Sequence, residues 1–150
     1  MPSARMSCFL DTNLLIYALD PAEPAKRERA ALLLRMIARE DGLVLSAQSI
    51  NECYRVLVFR RKIMAEEEAR AFLSTLEGWC KAPLDFSTVR LAWEVRDTTG
   101  FSYWDCVLLA SALQAGCSTF LSEDMRAGKV GTLTIVNPFT MPLDHVLAQL

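Results

Sequence analysis

Four carboxylates stand where a side chain could do chemistry: Asp11 in "CFLDTN", Glu52 in "SAQSINECY", Asp105 in "FSYWDCVLLASAL" and Asp124 in "TFLSEDM". Asp11 and Asp124 each follow a short apolar run, while Glu52 and Asp105 are read in the first turns of apolar helical patterns. Carboxylates about 4 Å apart repel by roughly 4 kcal/mol per pair at an effective dielectric near ~20, so several stay ionised together only around a cation. An all-oxygen donor set suits Mg²⁺ or Mn²⁺. Such an ion, with open positions, binds a phosphate, lowers the pKa of a water and steadies a leaving oxygen. The chemistry implied is phosphodiester hydrolysis.

Each acid also fits a purely structural role. Ser49–Glu52 and Ser102–Asp105 both match the capping-box pattern, in which the third helical residue bonds back to the N-cap amide. Asp11 and Asp124 equally fit loop starts that satisfy free backbone amides. Glu23, Asp41, Asp85, Asp97 and Asp144 read as solvated surface. Joint placement of the four is what favours a shared site over four separate caps.

The elements that must position these acids follow from periodicity. Met6 to Leu10 reads as a buried strand and Leu14 to Leu19 as a short helix, so Asp11 sits at a strand's carboxyl end, where open α/β sheets place ligands. Ala25 to Glu40 reads as a helix and Leu43 to Leu45 as a strand. Ser46 opens a helix ending in Arg60, Arg61 and Lys62, and Ala65 to Trp79 reads as another with acids in its first turn. A short strand at Ala82 to Leu84 precedes a helix capped by Ser87 and stopped at Gly100. Ser102 opens the next helix, which Gly116 ends, and Thr119 to Leu121 and Leu133 to Val136 read as buried strands. This alternation predicts an α/β domain with a mostly parallel sheet, whose strand ends and following helix starts share one edge.

Composition narrows the classes. A chain of 150 residues, 52% hydrophobic, can bury about two thirds of its unfolded surface in one core, so one domain over 1–150 is expected. No apolar run approaches the roughly 20 residues of a membrane span, and Met1 to Met6 lacks a signal layout; a soluble cytoplasmic protein is expected. Five scattered cysteines without a Cys-x-x-Cys pair read as reduced thiols, and a single histidine, His145, leaves little for a His-based zinc site or a Ser/His/Asp triad. With 16 basic and 18 acidic residues there is no global positive field, so any polyanion must be held locally.

"FLDTNLLIYALD", the Glu52 helix, "SYWDCVLLASALQAGCSTFLSEDM" and the closing "NPF", in this order over about Met6 to Phe139, resemble the PIN domain family, particularly the VapC-type ribonuclease toxins of toxin–antitoxin pairs. The resemblance implies a three-layer αβα sandwich, Mg²⁺- or Mn²⁺-dependent endoribonuclease activity, and ligand roles for Asp11, Glu52, Asp105 and Asp124. It suggests assistance from Thr12, Asn13 or Ser122, leaves Glu123 open as the fourth acid, and implies a homodimer held silent by a cognate antitoxin.

Two rivals remain: an aspartyl-phosphate phosphotransferase, which would want a second Asp where Asn13 stands, and a catalytically silent RNA- or protein-binding module. Arg55, Arg60, Arg61, Lys62, Arg126 and Lys129 are the candidate RNA contacts. Trp104, beside Asp105, is read as core in preference to a base-stacking surface.

Overall fold

The computed structural model describes residues 6–150; residues 1–5, part of the stretch read for a signal layout, lie outside it. Strand β1 (Cys8–Leu10) is the pivot of the sheet, pairing in parallel with β2 (Leu43–Val44) on one side and β3 (Thr119–Leu121) on the other. Beyond β3 lies β5 (Leu133–Val136), also parallel, and then β4 (Gly128–Val130), which runs antiparallel at the edge. The order is β2-β1-β3-β5-β4.

Strand side chains alternate between two cores, which explains why the runs are mostly apolar on both faces. Cys8, Leu10, Leu121 and Val136 join one core, packed by helices α1 (Thr12–Tyr17), α2 (Pro24–Arg39), α3 (Ala47–Tyr54), α4 (Glu66–Ser74) and α7 (Leu143–Ala148). Phe9, Phe120, Leu133 and Ile135 join the opposite core, under α5 (Phe86–Thr99) and α6 (Tyr103–Gln114). The result is the expected three-layer αβα arrangement. Phe9 and Phe120 are neighbours in register and stack with centroids 5.0 Å apart, and each buried side chain of this size contributes about 1.5–3 kcal/mol.

Several boundaries differ from expectation. The Ala82–Leu84 stretch forms no strand; a single parallel bridge, Ser46 to Ala82, is all that pairs there. The expected Ala65–Trp79 helix stops at Ser74 and is followed by a 3₁₀ turn at Glu77–Trp79. Asp85, read as solvated surface, is the N-cap of α5 in place of Ser87, and it forms a reciprocal capping box with Thr88. Strand β4 and helix α7 were not anticipated.

Beyond α3 the chain widens into a π-helical turn, Arg55–Arg60, the kind of irregularity that recurs at functional sites. Cys8, Cys53, Cys106 and Cys117 are buried, and none of the five thiols is in a disulfide. Burial pushes the Cys53 thiol up to about 12. No described helix is long and apolar enough to cross a membrane.

Candidate active site

Parallel pairing brings the ends of β1 and β3 side by side. Asp11 N–H donates to Leu121 O at 2.9 Å, and Ser122 N–H continues the ladder to Val136 O at 3.0 Å. Asp11 is also the N-cap of α1: its extended backbone turns the chain, and its Oδ1 accepts from Thr12 N–H at 2.7 Å. Its other oxygen, Oδ2, accepts from Ser122 Oγ at 2.7 Å. The carboxylate is therefore held at both ends while its residue is only 6% exposed.

Glu52 reaches the same edge from α3, but not as a cap. Ser46 is the N-cap, and it forms the box with Ser49, Ser49 N–H donating to Ser46 Oγ at 3.3 Å and Ser46 N–H to Ser49 Oγ at 3.4 Å. Glu52 lies past the first turn, contrary to the expected Ser49–Glu52 box. Its carboxylate accepts instead from Thr12 Oγ1 at 3.3 Å and from Gln48 Nε2 at 3.1 Å. Gln48 carried a readable signal that was missed: it precedes Glu52 by four residues, one helical turn.

Asp105 sits in the first turn of α6, where Ser102 is the N-cap and accepts from Asp105 N–H at 3.4 Å. Asp124 follows β3, and its Oδ2 accepts from Asn13 Nδ2 at 3.0 Å. Glu123 turns away to Lys26, whose Nζ lies 2.5 Å from Oε1 and also meets Tyr17 Oη at 3.4 Å. Nothing in the sequence marked Lys26 as the residue that draws Glu123 aside.

Asp11, Glu52, Asp105 and Asp124 line one cleft of about 370 Å³, together with Thr12, Asn13 and three arginines, Arg55, Arg60 and Arg61. The arginines come from the π-helical turn and the residue after it. Arg61 is tethered at 3.2 Å to the buried Asp20. Lys62, Arg126 and Lys129 are not among the lining residues, and Arg126 instead lies over the Phe101 ring at 5.4 Å.

Burial first, and charge crowding after it, raise the pKa of two acids of the site. Burial, opposed by the Ser122 bond and reinforced by Asp105 and Asp124, pushes Asp11 up to about 7. Asp105 is raised as well, first by burial and then by Asp124, against the bond from Ser102.

A family model for the PIN domain matches residues 8–133. The chain belongs to the PIN domain family. PIN domains are generally nucleases and typically bind divalent metals. The match spans all four cleft-lining acids of this PIN domain. A search of curated proteins finds no match.

Do the residues present fit such an ion? Among the described residues of this PIN domain, no three His, Cys, Asp or Glu groups are gathered tightly enough to grip a metal. The donor chemistry nevertheless fits. Its possible metal donors are all oxygens, chiefly carboxylates, with no thiol or imidazole among its lining, which suits Mg²⁺ or Mn²⁺. Asn13 Oδ1, beside Asp124, is a buried acceptor with no partner, a further oxygen that a cation or its water would satisfy.

Proposed function

We propose that this PIN domain is a Mg²⁺- or Mn²⁺-dependent endoribonuclease that hydrolyses RNA phosphodiester bonds, with Asp11, Glu52, Asp105 and Asp124 as ligands. The observation supporting this most is the single cleft in which acids from four separate elements face three arginines. When bound, a divalent ion would supply Lewis acidity toward the phosphate and a water of lowered pKa.

The chain's own groups do the rest. Thr12 and Gln48 orient Glu52, Asn13 orients Asp124, and Ser122 with the Thr12 amide fixes Asp11. Arg55, Arg60 and Arg61 would hold the phosphates flanking the scissile bond, without which the acidic cleft would repel the strand.

The same reading makes this chain the toxin of a toxin–antitoxin pair and a homodimer, a proposal that rests on the resemblance of its motifs to VapC-type toxins. An antitoxin would cover the acidic edge with a cationic side chain, because such a group relieves the repulsion that the metal relieves.

Purified protein, free of any partner, should cut RNA with Mn²⁺, stop on addition of chelator, and lose activity as Asp11→Asn. Chelator-resistant cleavage would end the metal reading. RNA binding without cleavage, with metal present, would favour the silent module.

A further inference from the structure

Trp104 and Tyr103 open α6, immediately before Asp105, and they are not core: Trp104 is 58% and Tyr103 36% exposed. Every residue of that helix from Cys106 to Ala112 is buried, whereas the two rings stand exposed at its start. Their centroids are 5.3 Å apart at an interplanar angle of 61°, so Tyr103 supports Trp104 edge-on and leaves ring surface uncovered.

The segment before them is braced. Gly100 takes a left-handed conformation, with φ of 72°, that ends α5 and turns the chain toward α6. Arg96 donates to the carbonyls of both Gly100 and Phe101, and Arg126 covers the Phe101 ring. The aromatic pair therefore rides on a fixed support beside an acid of the cleft, and the same cleft carries three arginines. Aromatic faces for bases combined with basic groups for phosphates is the chemistry that holds single-stranded nucleic acid.

A second exposed pair, Phe86 and Trp93, has no such setting. Its ring Phe86 begins α5, and Thr88 nearby bonds to Gln114 at the far end of α6 at 2.6 Å, so the antiparallel helices carry this pair away from Asp105.

We propose that Trp104, supported by Tyr103, is a stacking surface for an unpaired base of the RNA strand whose phosphate enters the acidic cleft. The proposal rests on the nuclease reading for the nature of the strand. It makes Trp104 a determinant of substrate choice, favouring segments whose bases are free to leave their own stack and tolerating changes in sequence, since every base has a π-face.

The test uses the full chain in chelator, where RNA stays intact, with fluorescence anisotropy of a labelled single strand, a duplex of the same sequence, and single strands with one abasic position moved along them. Trp104→Ala should weaken single-strand binding about tenfold, whereas Trp104→Phe should keep most of the affinity. Trp93→Ala should bind as the parent does, and duplex binding should be weak and indifferent to Trp104. One abasic position should weaken the parent but not Trp104→Ala.

Unchanged affinity in Trp104→Ala, an equal loss in Trp93→Ala, or a change in sedimentation caused by Trp104→Ala would each overturn the proposal, the last by assigning the rings to contact with another protein chain. Cleavage assays of the same proteins with Mn²⁺ separate it from the nuclease reading. Cleavage with Trp104-independent binding overturns the stacking surface alone, and Trp104-dependent binding without cleavage supports it while overturning the nuclease.

Discussion

Ser122 Oγ lies 2.7 Å from Asp11 Oδ2 and donates to it, while accepting from Met125 N–H at 3.1 Å. Ser122 is fully buried. One hydroxyl thus joins the acid that ends β1 to the loop that carries Asp124, and it is the strongest of the contacts that favour the ionised form of Asp11.

Ser122→Ala should therefore do two things. It strands a buried amide and removes a donor from a buried carboxylate, which costs about 1–3 kcal/mol of stability. It also raises the Asp11 pKa further, so the acidic limb of the pH–rate profile with Mn²⁺ should move to higher pH. Denaturant unfolding and that profile are the two measurements; a loss of stability with the profile unmoved would mean that Ser122 serves the loop alone.

Asp11 also sets a pH dependence of metal-free stability. Its folded pKa, about 7, lies above the ordinary 3.8, so between these values the folded chain holds a proton that the unfolded chain has released. Stability should fall as pH rises through that window and level off above it. At about 1.36 kcal/mol per pH unit the swing is on the order of 4 kcal/mol. Urea unfolding in chelator at pH 5 and pH 8 should show the fall in the parent and most of it gone in Asp11→Asn. Manganese affinity should run the other way, tightening as Asp11 ionises.

Ser46 and Glu52 divide capping from chemistry along one helix. Ser46→Ala should cost about 1–2 kcal/mol, because it removes the cap of α3, and leave the chemical step of the folded protein intact. Glu52→Gln should change stability by less than about 0.5 kcal/mol, yet cut RNA cleavage by about tenfold or more. If Glu52→Gln instead unfolds the chain while remaining active, Glu52 is a structural residue.

Asp105→Asn should change the sign of its effect with metal. In chelator it relieves repulsion toward Asp11 and Asp124, so the variant should be at least as stable as the parent. With Mn²⁺ at a hundred times its dissociation constant, the parent should gain about 2.7 kcal/mol and the variant much less. Equal destabilisation in both conditions would reduce Asp105 to a helix-start carboxylate.

The parallel sheet was legible because its strands are short, mostly apolar runs with buried residues on both faces: Cys8–Leu10, Thr119–Leu121 and Leu133–Val136. Strand β4 was not, since two of its three residues are exposed and it owes its form to pairing with β5. The connection Gly131-Thr132 was a usable hairpin signal that went unread.

Glu52 shows a different limit. "SAQSINE" contains two overlapping box registers, Ser46–Ser49 and Ser49–Glu52, and periodicity cannot rank them. The isolated parallel bridge from Ser46 to Ala82 holds Ser46 just before α3 as its N-cap, and this leaves Glu52 past the first turn and free for the cleft. The π-helical turn that brings Arg55 and Arg60 to the cleft has no sequence signature, because its wider hydrogen bonding is decided by packing around it.

The strand order has one more consequence, for the moment of synthesis. Strand β1 is made well before its neighbour β3, which begins at Thr119, and before β5, which flanks β3 and ends at Val136. A nascent chain cannot complete this sheet until β5 has left the ribosome, because β1 pairs with a strand made much later. Before then Asp11 has neither the Leu121 carbonyl that anchors its amide nor the Ser122 hydroxyl that holds its carboxylate. Until then the four acids of the cleft are not gathered. The cleft is assembled only once β3 and β5 have both emerged.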